Sequence, residues 1–183
     1  MSNIVHPLDS LSVEEIEKSV TLFKRDKNSD ENSVYSYIVL DEPDKEFVIN
    51  FKPGDSFSRK AKIIGIDSNS KGFEALIDLS NEEVVSIISL SDNAGPTYTM
   101  VEIMTAIQLT LENEEYQEAL KKRGITDLNL IQMDPWPGGG IVNKNIKKGH
   151  RALKTISFLK ESPDDNAYAK PISGLISHVD VTD

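Results

Sequence analysis

The stretch Lys60-Ala61-Lys62-Ile63-Ile64-Gly65-Ile66-Asp67, then Ser68-Asn69-Ser70-Lys71-Gly72, then Phe73-Glu74-Ala75-Leu76-Ile77-Asp78-Leu79 decides how this chain is read. In its second arm Phe73, Ala75, Ile77 and Leu79 share one side while Glu74 and Asp78 point to the other. Successive side chains of an extended backbone leave opposite faces, so this alternation marks a strand with one buried face. The five residues between the arms suit a hairpin connection. A pair of antiparallel strands therefore stands at the centre of the first half.

Outward from that hairpin the same plan continues. Residues 34–40 are rich in β-branched and aromatic residues, and 47–51 alternate Phe47, Ile49 and Phe51, which predicts two further strands. Asn81-Glu82 turns into a last strand over 84–90. Upstream, Ser12 and Glu15 form a capping box, in which each side chain satisfies a free backbone N–H at a helix start. Val13, Ile16, Val20 and Phe23 follow at helical spacing, and Lys24-Arg25 suit the negative end of the helix dipole. One helix followed by about five short strands predicts an antiparallel sheet with a helix across it.

The run Ser91-Asp92-Asn93-Ala94-Gly95-Pro96 breaks the pattern and divides 1–95 from 96–183. Beyond it, Met100, Met104, Ile107 and Leu111 lie on one helical stripe. Asn113 can cap a second helix over 114–123, which Gly124 ends at the position favouring a left-handed backbone. Candidate strands cover 128–133, 151–160 and 172–181. The second half repeats the first, so the fold class is α+β with two domains in tandem.

The whole chain has 183 residues, 30 acidic and 20 basic, for a net charge of −10. Residues 1–95 hold 18 acids and 10 bases, and 96–183 hold 12 and 10, so the first domain carries most of the excess. Such a balance argues against nonspecific nucleic-acid binding. The absence of cysteine excludes disulfides, thiolate nucleophiles and cysteine-ligated metals. No signal-peptide pattern and no membrane-length apolar run occurs, which points to a soluble, cytoplasmic chain.

Tests for chemistry return little. Asp26-Lys27-Asn28-Ser29-Asp30-Glu31 opens like a calcium loop, but the sixth position is Glu31 instead of glycine and the twelfth is Tyr37 instead of glutamate. Gly138-Gly139-Gly140 lacks the Gly-Lys-Ser/Thr of a phosphate loop and reads as a flexible connection. Lys144, Lys147, Lys148, His150, Arg151 and Lys154 form a basic run without interleaved aromatics, better suited to meeting an acidic neighbour such as the first domain. His6, His150 and His178 are dispersed and form no metal-ligand pair. Asp134-Pro135-Trp136-Pro137-Gly138 holds the one tryptophan between two prolines, and that ring is expected to plug the end of a small core. No catalytic, cofactor-binding or metal-ligating residue is assigned.

Four segments in order carry a family resemblance: His6-Pro7-Leu8-Asp9-Ser10-Leu11-Ser12, Arg123-Gly124-Ile125-Thr126-Asp127, Asp134-Pro135-Trp136-Pro137-Gly138, and Asp165-Asn166-Ala167-Tyr168-Ala169-Lys170-Pro171-Ile172-Ser173-Gly174-Leu175 with Val179-Asp180. Together they resemble the N-terminal region of the copper amine oxidases, the topaquinone-containing primary-amine oxidases of tyramine and phenylethylamine oxidase type. The resemblance implies two tandem cystatin-like domains, 1–95 and 96–183, each a helix on a coiled antiparallel sheet. It also implies a catalytic domain of the same polypeptide as partner and a homodimeric parent, with the isolated chain a monomer. The family builds its quinone from a tyrosine in an Asn-Tyr-Asp/Glu setting and holds copper by a His-x-His pair plus a third histidine. None of Tyr35, Tyr37, Tyr98, Tyr116 and Tyr168 has that setting, and no His-x-His occurs. The resemblance therefore implies no cofactor in this chain. The alternative expectation is a free-standing cystatin-like binding module for a small ligand or protein.

Overall fold

The first helix, α1 (Val13–Arg25), starts where its capping residues require: Ser12 Oγ accepts from the Glu15 N–H at 3.2 Å, and the Glu15 carboxylate accepts from the Ser12 N–H at 2.9 Å. It belongs to a computed structural model that describes residues 4–91, 94–139 and 143–182. Asp92 and Asn93 of the expected break, and Gly140 of the glycine run, lie outside the described residues. The chain divides into two compact units, Met1–Thr97 and Tyr98–Asp183.

In the first unit α1 packs on an antiparallel sheet of order β1 (Val34–Leu40), β2 (Lys60–Ile66), β3 (Gly72–Asp78), β4 (Glu83–Ser89). The alternation in β2 and β3 delivers Ala61, Ile63, Phe73, Ala75 and Ile77 to the buried face, where Phe23 of α1 stacks on Phe73 with ring centres 5.2 Å apart. Ser19 is the buried small residue that lets the helix approach. Gly65 serves close approach too: a Cβ there would lie 2.4 Å from the Val34 carbonyl oxygen.

One expected strand is a helix. Residues 47–51 fall in α2 (Lys45–Asn50) and its cap, so the first sheet has four strands instead of about five. Asp44 accepts from the Glu46 N–H at 2.8 Å and starts the turn. Phe47 and Phe51, four residues apart, come within 6.3 Å, and Phe51 also meets Phe57 and His6 edge-on. Over five residues a spacing of four fits one helical turn as well as a strand, and the cap decides.

The second unit contains α3 (Met100–Glu112), α4 (Glu114–Lys121), a single 3₁₀ turn at Leu128–Leu130, and a sheet of order β5 (Ile131–Pro137), β6 (Ala152–Leu159), β7 (Pro171–Asp180). Asn113 separates the helices, accepting from the Tyr116 N–H at 2.9 Å. Its core centres on Tyr116, Leu120 and Met133, with Ile107, Leu111 and Leu175 packed against it. The expected α3 stripe needs correction. Met100 and Met104 are 70% and 55% exposed, and the buried line runs through Ala106 and Thr110. Side chains at the helix start fix this rotation, as described below. The strand expected over 128–133 starts only at Ile131 and continues through Pro135 and Pro137, which an edge strand tolerates.

Candidate functional site

Each unit holds one arginine that ties a helix start to the sheet. Arg59 stands just before β2 and is 7% exposed. Its Nε and Nη2 donate to the two Glu15 oxygens at 2.9 Å each, Nη1 donates to the Pro7 and Asp9 carbonyls, and Nη2 also to that of Ser10. In the second unit Arg151 stands just before β6. It donates from Nε and Nη2 to the Glu102 carboxylate and lies 4.3 Å from the centre of the Tyr98 ring. Glu102 also accepts from the Thr99 N–H at 2.7 Å, completing a capping box like that of Ser12 and Glu15. Bidentate contact of this kind fixes orientation as well as charge.

The electrostatics follow from these contacts. The Arg59 guanidinium beside Glu15, against the cost of burial, holds its carboxyl below the usual range, with help from the Ser12 N–H. Burial pushes Glu102 up, but Arg151 and Thr99 outweigh it and its carboxyl also lies low. Both glutamates are thus committed anions. They suit positioning and not proton transfer at neutral pH.

The remaining marked residues have ordinary partners. In the calcium-like loop, Asp26 accepts from the Asn28 N–H at 2.7 Å, and Asp30 from Asn32 at 2.9 Å and Ser68 at 2.8 Å, so both carboxylates cap local turns. Gly138 extends the ladder by donating to the Ala152 carbonyl at 2.9 Å. Within the basic run, His150 Nδ1 lies 2.7 Å from Asp180 and Arg151 meets Glu102, so these two find acidic neighbours inside their own unit; Lys144, Lys147 and Lys148 are exposed. His6 accepts from the Leu8 N–H at 3.1 Å and His178 Nδ1 from the Asn143 N–H at 2.8 Å.

Trp136 overturns its expected role. It is 54% exposed, and its indole N–H donates to Asp134 at 2.7 Å. Strand alternation explains the outcome: Met133 points into the core, which sends Asp134 and Trp136 to the opposite face. A groove of about 550 Å³ lies between Leu109, Thr110 and Tyr116 on the helices, residues 175–180 of β7, and Asn143. Its His178 and Asp180 are already hydrogen-bonded, to Asn143 and to His150 and Thr182.

The three histidines serve three separate partners, and no group of three histidine or carboxylate side chains comes together among the described residues. Tyr116 bonds Ser157 at 2.7 Å, and Tyr98 bonds both backbone groups of Ala152, so these hydroxyls hold the core. No described helix is long and apolar enough to cross a membrane.

Fold and site define a tandem of α+β units, each with a capped helix locked to an antiparallel sheet. The comparisons give the family. The model for the copper amine oxidase N2 domain matches residues 6–89, and that for the N3 domain matches 101–183. This chain belongs to the copper amine oxidase family and corresponds to its N-terminal region. A primary amine oxidase of Arthrobacter sp. (strain P1) is 30% identical over 97% of the chain and 27% of that protein. A primary amine oxidase of Klebsiella aerogenes is 32% identical over 96% of the chain and 23% of that protein. The chain thus spans about a quarter of the length of these relatives. Among solved structures, a copper-containing benzylamine oxidase from Hansenula polymorpha shares the fold, with a TM-score of 0.69 and 18% identity over 92% of this chain and 27% of that one.

Proposed function

We propose that this chain is the non-catalytic accessory region of a copper-dependent primary-amine oxidase. The parent reaction is oxidative deamination of a primary amine by O₂ to aldehyde, ammonia and hydrogen peroxide. One observation carries the reading: the two matched family models are both N-terminal domains, in the order N2 then N3, and together they fill nearly the whole chain. Residues 1–95 and 96–183 are then two accessory domains. Copper and topaquinone belong to a catalytic domain elsewhere in the same polypeptide, and that domain is the partner. The chain alone is a monomer, the parent a homodimer, and the compartment the cytoplasm.

The chemistry of the described residues supports this division. Glu15 and Glu102 are neutralised by arginines, and the histidines are engaged singly. The purified chain is expected to release no peroxide from tyramine or phenylethylamine above a metal-free control. It should also hold no stoichiometric copper and show no quinone absorbance. Amine-dependent peroxide from the pure chain sinks the proposal. Light scattering after size exclusion tests the monomer. A free-standing binding module is the second reading, favoured only by the groove beside β7; thermal stabilisation in a ligand screen would support it.

A further inference from the structure

Arg123 is held differently from Arg59 and Arg151. Its Nη1 donates to the Ala119 carbonyl at 2.8 Å, and its Nη2 to the Gly174 and Ser173 carbonyls at 3.1 and 3.4 Å. All three acceptors are neutral, and among the described residues no carboxylate pairs with this guanidinium. Part of its donor set is left over. An arginine fixed from two elements, with its charge unmatched, is a preorganised cation.

Both elements are shaped to hold it. After α4, Gly124 has a φ of 76°, which lets the Ile125 N–H return to the Leu120 carbonyl at 3.0 Å and leaves Arg123 at the helix end. In β7, Ile176 faces Ile156 but Pro171 faces Phe158, so residues 172–175 bulge out of the ladder opposite Ser157. Gly174 takes a φ of 68° in that bulge, and its carbonyl and that of Ser173 turn to Arg123. Two of the four segments that carry the family resemblance, 123–127 and 165–175, thus meet in space. Beside the arginine lies a cavity of about 360 Å³ walled by Ile125, Leu159, Pro171 and Ile172, with Lys170 at its rim. That volume falls in the range of small-ligand sites, about 300–1,000 Å³. Lys170 already meets Glu161, so it offers further N–H donors with its charge matched. The unmatched positive charge at the cavity is that of Arg123.

We propose that this cavity binds a small organic carboxylate, with its charged end on Arg123 and its hydrocarbon part against Ile125, Leu159 and Ile172. The chemistry selects on both ends. A bare inorganic anion meets the guanidinium but leaves the apolar wall in water, and an aliphatic amine brings like charge to the arginine. The site is independent of the parent reaction and requires neither copper nor quinone.

Titration of octanoate into the 183-residue chain, followed by amide NMR, tests the proposal. Shifts should centre on residues 123–125 and 170–174 and saturate with a Kd on the order of 1 mM. Octylamine and inorganic phosphate should each bind at least about tenfold more weakly. Arg123→Gln should weaken octanoate at least about tenfold. Because that change also removes three hydrogen bonds, a ligand series reads the same site on the unaltered chain: butyrate, four methylenes shorter, should bind at least about tenfold more weakly than octanoate. Shifts centred elsewhere, or no saturation by about 10 mM octanoate, overturn the proposal. So does equal binding of octylamine, which leaves only apolar adsorption, or equal binding of phosphate, which leaves only bare charge.

Discussion

Arg59 and Arg151 show how much a single side chain organises here. Each joins a helix cap to a strand start that lies 44 or 49 residues away in sequence. Removing one partner of a buried pair leaves the other charge uncompensated, so Arg59→Ala should cost about 3–5 kcal/mol in urea denaturation, while Arg59→Met with Glu15→Leu costs less. Both glutamates have folded-state pKa values below their unfolded ones. Their contribution is full above the unfolded value, about 4.3, and is lost as pH falls through the folded one. Acid titration of stability should show that loss, and Glu15→Gln should flatten it. Trp136, the one tryptophan, should fluoresce as a solvent-exposed indole already in the native chain, and Trp136→Ala should change stability by less than about 1 kcal/mol. Glu15 was legible at this scale, because Ser12-x-x-Glu15 is a local pattern; the like pair Thr99 and Glu102 emerged only from the structure. Their arginine partners were not legible, since nothing near Arg59 or Arg151 in sequence reveals a distant carboxylate.

Among elements, α1 and the β2–β3 hairpin were readable because cap, period and turn agree over enough residues. The 47–51 segment was not, because five residues do not separate two periods; Asp44 decides it. Asp44→Ala should therefore cost about 1 kcal/mol, with loss of exchange protection confined to the 45–50 amides. Helix α3 teaches a different point. It is apolar nearly all round, so its sequence offers several candidate faces, and Met100 and Met104 belong to the wrong one. The Glu102–Arg151 contact and the close seat of Ala106 set the rotation. β5 likewise shows that a proline-bearing run can be a strand when it lies at an edge.

For the molecule as a whole, the two units share a plan but differ in closure. Among the described residues, the first buries seven hydrophobic residues in its core cluster under four strands, and the second three under three strands with no strand beyond β7. Amides of the second unit should accordingly exchange before those of the first when the chain is followed by mass spectrometry. By itself the sequence determined the class, the capped helices, the central hairpin and the resemblance to a family, because these rest on local periodicity, caps and ordered motifs. Only the tertiary structure decided which face of α3 is buried, that Trp136 looks outward, and that two arginines repeat one lock. Those features depend on groups brought together across dozens of residues, where packing and charge pairing select among arrangements that local sequence leaves equal.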